Sequence, residues 1–464
     1  MRILRRAAGL RCRSGVAGIA DRTAIGTATR LPSQGRVALK VAIVGSGIAG
    51  LGCARLLHRQ GHRVTVFEAN DYAGGHTHTV DVRVDGITAP VDTGFLVYND
   101  RTYPRLLALF QELGIESAPT VMSFSVRNDE ADVEWAGTDL PSMFAQPANL
   151  LRPAFWRMLG DILRFNRATR AMARDGRIDD VPLGRFLDEG GYSRAFREWY
   201  LLPMAAAIWS VPLPLVLEFP LPGFLSFCER HGLLQVFDRP RWRTVAGGAR
   251  TYVERIVADL PDVRLATPVH TVRRRLTHVE IDSVHMRAER FDAVVLACHS
   301  DQSRRLLADA DRAEATLLGC IDYQPNRVVL HTDVALMPRR RRAWSAWNYR
   351  AQPPHPERPV SVTYWLNRLQ PLPFRSAVMV TLNPDIEPRP ESILGEFEYS
   401  HPVVKGRAVH AQRAFQSIQG QRRTWFAGAW LGHGFHEDGL ASAHAVADDF
   451  LARAHLLERE PAAA

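Results

Sequence analysis

The chain has 464 residues, 46% hydrophobic and 23% charged, enough to bury a large core in two domains and unlike a disordered or fibrous chain. The net charge of +9 is concentrated at the start: eight arginines and one aspartate in residues 1–36 carry +7, which leaves +2 for the rest and no support for nucleic-acid binding. Five cysteines with no C-x-x-C pair argue against a disulfide framework or zinc ribbon and suit a reducing compartment.

Residues 1–36 read as a disordered leader or a mis-chosen start, with Val37 as the alternative beginning. Their composition loosely fits a transit peptide, but no secretory apolar run follows the basic start. Residues 41–68 carry the most information. Val41–Val44 is an apolar run suited to a buried parallel strand. Gly45, Gly47 and Gly50 follow in G-x-G-x-x-G spacing, with Ser46, Ile48 and Ala49 between them. The first glycine allows a tight turn, the second a close approach to pyrophosphate, the third close helix–strand packing. A helix from about Ile48 to Gln60 directs its first N–H groups at the phosphates, and Val64–Phe67 forms the next strand. Glu68 and Ala69 close that strand. Glu68 stands 23 positions after Gly45, where a carboxylate accepts from an adenosine ribose.

Gly74, Gly75 and His76 follow, and paired glycines there allow backbone to approach the pyrophosphate and flavin edge. Together with Glu68 they point to FAD rather than NAD. His76 and His78 share a strand face, but no third ligand accompanies them, so no metal site is expected. Asp92–Phe95, containing Gly94, is either a turn near the flavin ring or a plain β-turn. Residues 103–200 read as mostly helical, and a proline-rich stretch 203–222 follows. Gly247-Gly248 is a second cofactor approach or a helix entry. Val269, with Val272 as its neighbour, is a candidate cover for the adenine or a core valine, and Ala297 ends a strand at the cofactor. Residues 321–383 read as strands. The chain closes with a strand ending at Gly428, a glycine-rich loop, and a helix opened by Gly439. Asp438 is a ribityl partner, the N-cap of that helix, or both.

These features give an α/β fold: a Rossmann-like FAD-binding domain with an inserted α+β substrate domain. The expected division is leader 1–36, FAD-binding segments 37–100, 231–300 and 421–455, substrate segments 101–230 (mostly helical) and 301–420 (strand-rich), and a tail at 456–464.

On Gly45/Gly47/Gly50, Glu68, Gly74-Gly75 and Phe426-Ala427-Gly428, the chain resembles the flavin-containing amine oxidase superfamily. The stretches VDTGFLVYN, PMAAAIWS, ERHGLL, WRTVAGGA and GFHEDGL are similar to bacterial FAD-dependent oxidoreductases and to the flavin domain of plant cyclopropane fatty acyl synthases. That resemblance implies an oxidoreductase passing a hydride from a C–H bond to flavin N5, on a methyl-branched or otherwise modified fatty acyl chain of a membrane lipid. The alternatives are a soluble amine or polyene oxidase and a non-catalytic accessory subunit of a lipid methyltransferase. The superfamily places Arg where His76 stands, and an acid where Ala429 stands. No cysteine follows Cys320 to tether flavin, so the FAD is expected to be non-covalent.

The candidate proton acceptors are His231, His436 and Glu437, with His433 a weaker one, and Trp209 is a candidate tunnel wall. Arg339–Arg342, beside Trp344 and Trp347, reads as a solvated loop or a membrane-facing patch, with the apolar segment 211–227 docking beside it. The expected partners are a small-molecule or lipid substrate, the membrane surface and a lipid methyltransferase, with no nucleic acid. The expected location is cytoplasmic, peripheral at the inner membrane face.

Overall fold

The apolar run that opens the chain lies at the centre of a five-stranded parallel sheet. The computed structural model describes residues 37–175, 178–233, 240–351, 358–403 and 405–458, so the leader 1–36 and the tail beyond 458 lie outside the described residues. In spatial order the strands are Val263–Arg264, Arg63–Phe67, Lys40–Val44, Ala293–Leu296 and Thr424–Phe426. Every pairing is parallel, and Val41, Ile43, Val294 and Val295 have no exposed surface, as strands covered on both faces require. The helix Ile48–Arg59 follows the first strand, and the last helix, His436–Glu458, packs against it. Small residues permit that contact. A Cβ on Gly52 would stand 3.0 Å from Ala443 Cβ, and one on Gly439 would stand 2.8 Å from Ile48 Cγ2. The two ends of the described chain therefore meet at the C-terminal edge of one sheet.

A seven-stranded sheet forms the second layer of architecture. Its order is Ile393–Val403, Asp322–His331, Met379–Leu382, Ser361–Trp365, Trp347–Arg350, Phe124–Asn128 and Val133–Ala136. The last two strands interrupt the segment 103–200, which is otherwise mostly helical as read, with Pro104–Leu113, Pro153–Asp175 and Leu183–Glu189 among its helices. Phe124–Asn128 pairs in parallel with Trp347–Arg350, more than 200 positions away, and no local signal announces such a partner. The helix Pro104–Leu113, expected in the substrate insertion, instead buries Leu106 and Phe110 in a cluster with Leu51, Tyr252 and Leu440 of the nucleotide-binding part. The segment 211–227 is core rather than surface: Val211, Val216 and Leu221 have no exposed area.

Asp92 ties three distant segments together. Its Oδ1 accepts from Thr79 Oγ1 at 2.5 Å and from the Ala249 N–H at 2.9 Å, while Oδ2 accepts from Gln370 Nε2 at 2.5 Å. Burial pushes this carboxyl up to about 6, against the pull of those donors. Asp92→Ala leaves the Ala249 N–H and the Gln370 amide buried without an acceptor. The expected loss is about 3 kcal/mol, read as a lower urea midpoint at unchanged m-value.

Candidate FAD and substrate site

A cavity of about 800 Å³ opens along the C-terminal ends of the parallel strands and runs on to the seven-stranded sheet. That volume lies in the upper part of the range for small-molecule sites. Gly45 has φ +105°, and a Cβ there would stand 3.0 Å from the Ala297 carbonyl oxygen. Gly50 faces the carbonyl of Gly45, which a Cβ would meet at 1.9 Å, so this glycine serves helix–turn packing and does not line the cavity. Gly47 differs from both. A Cβ on it would meet nothing within 4 Å, and the residue lines the cavity. As N-cap of Ile48–Arg59 it offers no side-chain acceptor, so the first-turn N–H groups of Ile48 and Ala49 face the cavity uncapped by a side chain.

Glu68 is buried on the cavity wall. Its Oε2 accepts from Ser46 N at 2.9 Å and Ser46 Oγ at 2.6 Å, and its Oε1 from Asn70 N at 2.9 Å. Ala69 lies beside it on the wall. Gly74 bridges to Gly47, and its N–H donates to the Ser46 carbonyl at 3.1 Å. Gly75 has φ +58° and its Cβ position lies 3.1 Å from Gly47 Cα. Gly94 packs so closely on the His76 carbonyl that a Cβ would stand 2.2 Å from that oxygen. Gly94, Val269, Ala297 and Gly428 all line the cavity, whereas Val272 is fully buried core. Gly247 and Gly248 stay off the wall. A Cβ on Gly248 would press on Thr79 at 2.6 Å, so the pair is the entry turn of the helix Arg250–Ala258.

Three cofactor or catalytic expectations are corrected. Asp438 does not line the cavity, because its Oδ2 accepts from the N–H groups of His433 and Phe435 at 3.1 and 3.0 Å and clasps the loop before the last helix. Gly439 serves the contact with Ile48 described above. Glu437 accepts from the Arg105 and Leu106 N–H groups at 3.0 and 3.1 Å, which caps the helix Pro104–Leu113 and leaves no proton-accepting role at the cavity.

His436 and His231 do line the cavity. His436 Nε2 lies 2.9 Å from Thr77 Oγ1 and 3.2 Å from Tyr252 OH, and its ring stacks on Phe95 at 3.7 Å. Burial holds it down to about 3, so it is neutral and a weak base. His231 pairs its Nδ1 with the Phe227 carbonyl at 3.0 Å and stacks on that ring at 4.0 Å. Donation from Nδ1 fixes Nε2 as the basic nitrogen. His433 and Trp209 also reach the wall, and Trp209 packs on Phe227 with centroids 4.5 Å apart.

His299 and His401 are site residues that sequence reasoning missed. Their rings lie 6.3 and 5.3 Å from that of His76, and all three line the cavity. Burial, then the neighbouring imidazoles, holds His76 well below the ordinary histidine range. Its Nε2 is buried with no hydrogen-bond partner among the described residues. No motif announces this cluster, since each ring comes from a different element.

The Arg339–Arg342 run folds back on the protein. Arg339 pairs with Asp129 and Arg340 with Glu134, each at 2.9 Å, and Arg341 lies over the Trp344 ring at 4.7 Å. Among the described residues no helix is long and apolar enough to cross a membrane, and no group of three metal-ligating side chains occurs.

The parallel sheet, the open Gly47 cradle, the buried Glu68 and the unsatisfied His76 nitrogen together define a flavin-dependent oxidoreductase. The chain belongs to the family described as flavin containing amine oxidoreductase, whose profile matches residues 48–339. It is 43% identical over 259 residues to amine oxidase [flavin-containing] A of Sus scrofa, covering 53% of this chain and 46% of that one. It is 28% identical over 288 residues to carotenoid phi-ring synthase of Streptomyces griseus, covering 58% and 54%. The chain thus spans about half the length of these curated relatives. Putrescine oxidase bound to putrescine superposes with TM-score 0.65 at 17% identity, covering 90% of this chain and all of that one. A conjugated-linoleic-acid-producing fatty acid isomerase from P. acnes gives TM-score 0.63 at 16%, covering 89% and 98%, and both likenesses establish the fold. The cofactor is FAD, held without a covalent bond. The turn Gly45–Ala49, Glu68, Gly74-Gly75 and the cavity face of Gly428 are the residues that fit it.

Proposed function

We propose that this enzyme dehydrogenates a saturated segment of a fatty acyl chain, methyl-branched or otherwise modified, carried by a membrane lipid. The observation that carries the reading is the chemistry of the cavity beyond the cofactor end. Val328, Val380 and Leu382 of the seven-stranded sheet line it together with Ile208, Trp209 and Phe227 of the helical segment. The carboxylates on the wall are Glu68, held by Ser46 and Asn70, and Glu398, which is exposed. Apart from Glu68, whose oxygens are taken by Ser46 and Asn70 at the cofactor end, an ammonium meets no buried counter-charge on the wall among the described residues, whereas a hydrocarbon chain loses little on entry. Trp347 Nε1 is buried on this wall without an acceptor, and a carbonyl oxygen on the substrate would satisfy it. Two relatives act on hydrocarbon skeletons by name, the phi-ring synthase and a 1-hydroxycarotenoid 3,4-desaturase.

Bound FAD supplies the acceptor for a hydride, so loss of that hydride and of a proton from adjacent carbons leaves a double bond. The protein holds the chain against these apolar walls, keeps water out with them and takes the proton at His231 Nε2. His231→Ala is expected to load FAD normally and to slow single-turnover reduction about 100-fold or more. His436→Ala is expected to change that rate less, because burial makes its ring too weak a base to take the proton. Equal rates for wild type and His231→Ala would remove His231 from the reaction.

The substrate reading is tested by anaerobic mixing of the FAD-loaded enzyme with three candidates: a phospholipid bearing methyl-branched chains, one bearing unbranched chains, and putrescine. Bleaching of the flavin by the branched lipid alone is expected. Bleaching by putrescine would place the enzyme with the amine oxidases. No bleaching by any of the three, with tight binding of a lipid methyltransferase, would make it an accessory subunit.

A further inference from the structure

The long helix Pro153–Asp175 and the short 3-10 turn Pro147–Leu151 before it carry an outward face that the site does not use. Trp156 is 51% exposed and Leu163 64% exposed, and Leu150 and Leu151 of the turn are 49% and 87% exposed. Four large apolar side chains left in water within one short stretch are unusual for a surface that meets solvent alone. Trp156 is also held in place: its Nε1 donates to the Leu150 carbonyl at 2.9 Å and its ring packs on Phe144 at 5.6 Å.

The charge on this face has one sign. At roughly 100° per residue, Trp156, Leu163, Arg167, Arg170 and Arg174 fall within about 40° of one line along the helix. Arg167, Arg170 and Arg174 are exposed, and none of them pairs with a carboxylate among the described residues. Asp161 points to the other side, buried and paired with Arg164 at 2.9 Å. Among the nearby acids, Asp188 pairs with Arg197 at 2.6 Å and Glu189 with Arg185 at 2.7 Å, while exposed Asp175 lies about 100° off this line and Asp179 and Asp180 lie beyond the helix. The face is thus apolar at its N-terminal end and basic at its C-terminal end.

We infer that this face docks the enzyme on a bilayer rich in anionic phospholipid, with Leu150, Leu151, Trp156 and Leu163 in the interface and Arg167, Arg170 and Arg174 on the phosphates. Arginine against lipid phosphate supplies the charge complementarity, and an indole with a polar edge suits the headgroup level. A second copy of the chain is a poorer occupant, since two arginine rows placed face to face repel. The inference goes beyond the substrate reading and needs no turnover. A failure to bind vesicles and a failure to oxidise lipid are separate results.

The test is co-sedimentation of the FAD-loaded enzyme with phosphatidylcholine vesicles and with mixed phosphatidylcholine–phosphatidylglycerol vesicles, at low and high salt. Binding to the anionic vesicles alone, weakened by salt, is expected. Arg167→Ala/Arg170→Ala/Arg174→Ala is expected to bind these on the order of 100-fold more weakly, at about 1 kcal/mol per arginine. Trp156→Ser/Leu163→Ser is expected to weaken binding at high salt as well. Both variants should keep their flavin, and the triple-arginine variant its melting temperature, because those arginines are exposed. Equal binding to neutral vesicles, no binding to either, or full binding by the triple variant would overturn the inference. So would a concentration-dependent dimer in sedimentation velocity that the triple variant abolishes, since it would assign the face to a protein.

Discussion

Gly47→Val is expected to give a folded, colourless protein. The residue has φ −63° and ψ 176°, an extended conformation that valine adopts without strain. A Cβ on it meets no protein atom within 4 Å, so the apo fold accepts the branched side chain. The same empty space is the proposed cradle for the diphosphate, and two methyl groups there would hold the phosphates away from the Ile48 and Ala49 N–H groups. Overpacking and the lost contacts together amount to about 3 kcal/mol or more, over 100-fold in FAD affinity. The neighbouring glycine gives the contrast. Gly50→Ala places a methyl 1.9 Å from the Gly45 carbonyl oxygen, so its expected result is a destabilised or insoluble chain rather than a clean apo-protein. The measurements are flavin absorbance per mole of protein and thermal unfolding. A Gly47→Val protein with a full complement of FAD would contradict the assignment of the cavity, and one that failed to fold would contradict the open space around Gly47.

That contrast shows what the sequence made legible. The glycine spacing, the apolar strand and the acid at its end are local: Gly45 makes the tight turn and Gly50 the close packing that their positions imply, and Gly47 leaves open space. The convergence of strand Thr424–Phe426 with Lys40–Val44 was also legible, because glycine-rich turns at both ends of the chain call for the same ligand. Expectations failed where a side chain's partner lies far off in sequence. Asp438 and Glu437 are acids at the start of a helix, a position equally suited to a ligand or to protein N–H groups. Only the fold shows that the loop 432–435 and the helix Pro104–Leu113 claim them. The histidine cluster was illegible for the same reason. His76, His299 and His401 are separated by more than 100 positions at each step and come together through sheet topology alone.

Buried imidazoles make acid the second large effect, and the cofactor-free chain is expected to lose several kcal/mol of stability between pH 7.5 and pH 5. His331 and His401 are held down to about 4 and His436 to about 3, each chiefly by burial. Unfolded, such a side chain takes its proton near its ordinary value of about 6.5. As pH falls below that value the unfolded chain binds protons that the folded chain refuses, so stability falls with pH until the folded groups titrate. At pH 5 each contributes a loss of about 2 kcal/mol, up to ~6 kcal/mol for the three. Asp92 acts in the opposite sense. Its carboxyl, raised to about 6, takes a proton in the folded chain before the unfolded chain does, which returns roughly 1 kcal/mol at pH 5. The net loss of several kcal/mol is comparable to the whole stability of many domains, so it shows in urea midpoints at the two pH values. His331 separates this effect from the site. It lies away from the cavity wall, with Nε2 on Thr381 Oγ1 at 2.7 Å and Nδ1 accepting from the Asp333 N–H at 3.1 Å. His331→Gln is therefore expected to reduce the acid-induced loss by about 2 kcal/mol, about two fifths of the net effect, whether or not FAD is bound. Saturating FAD, in contrast, is expected to change the part owed to His401 and His436. A midpoint that stays constant or rises on acidification would show that these imidazoles carry protons in the folded chain.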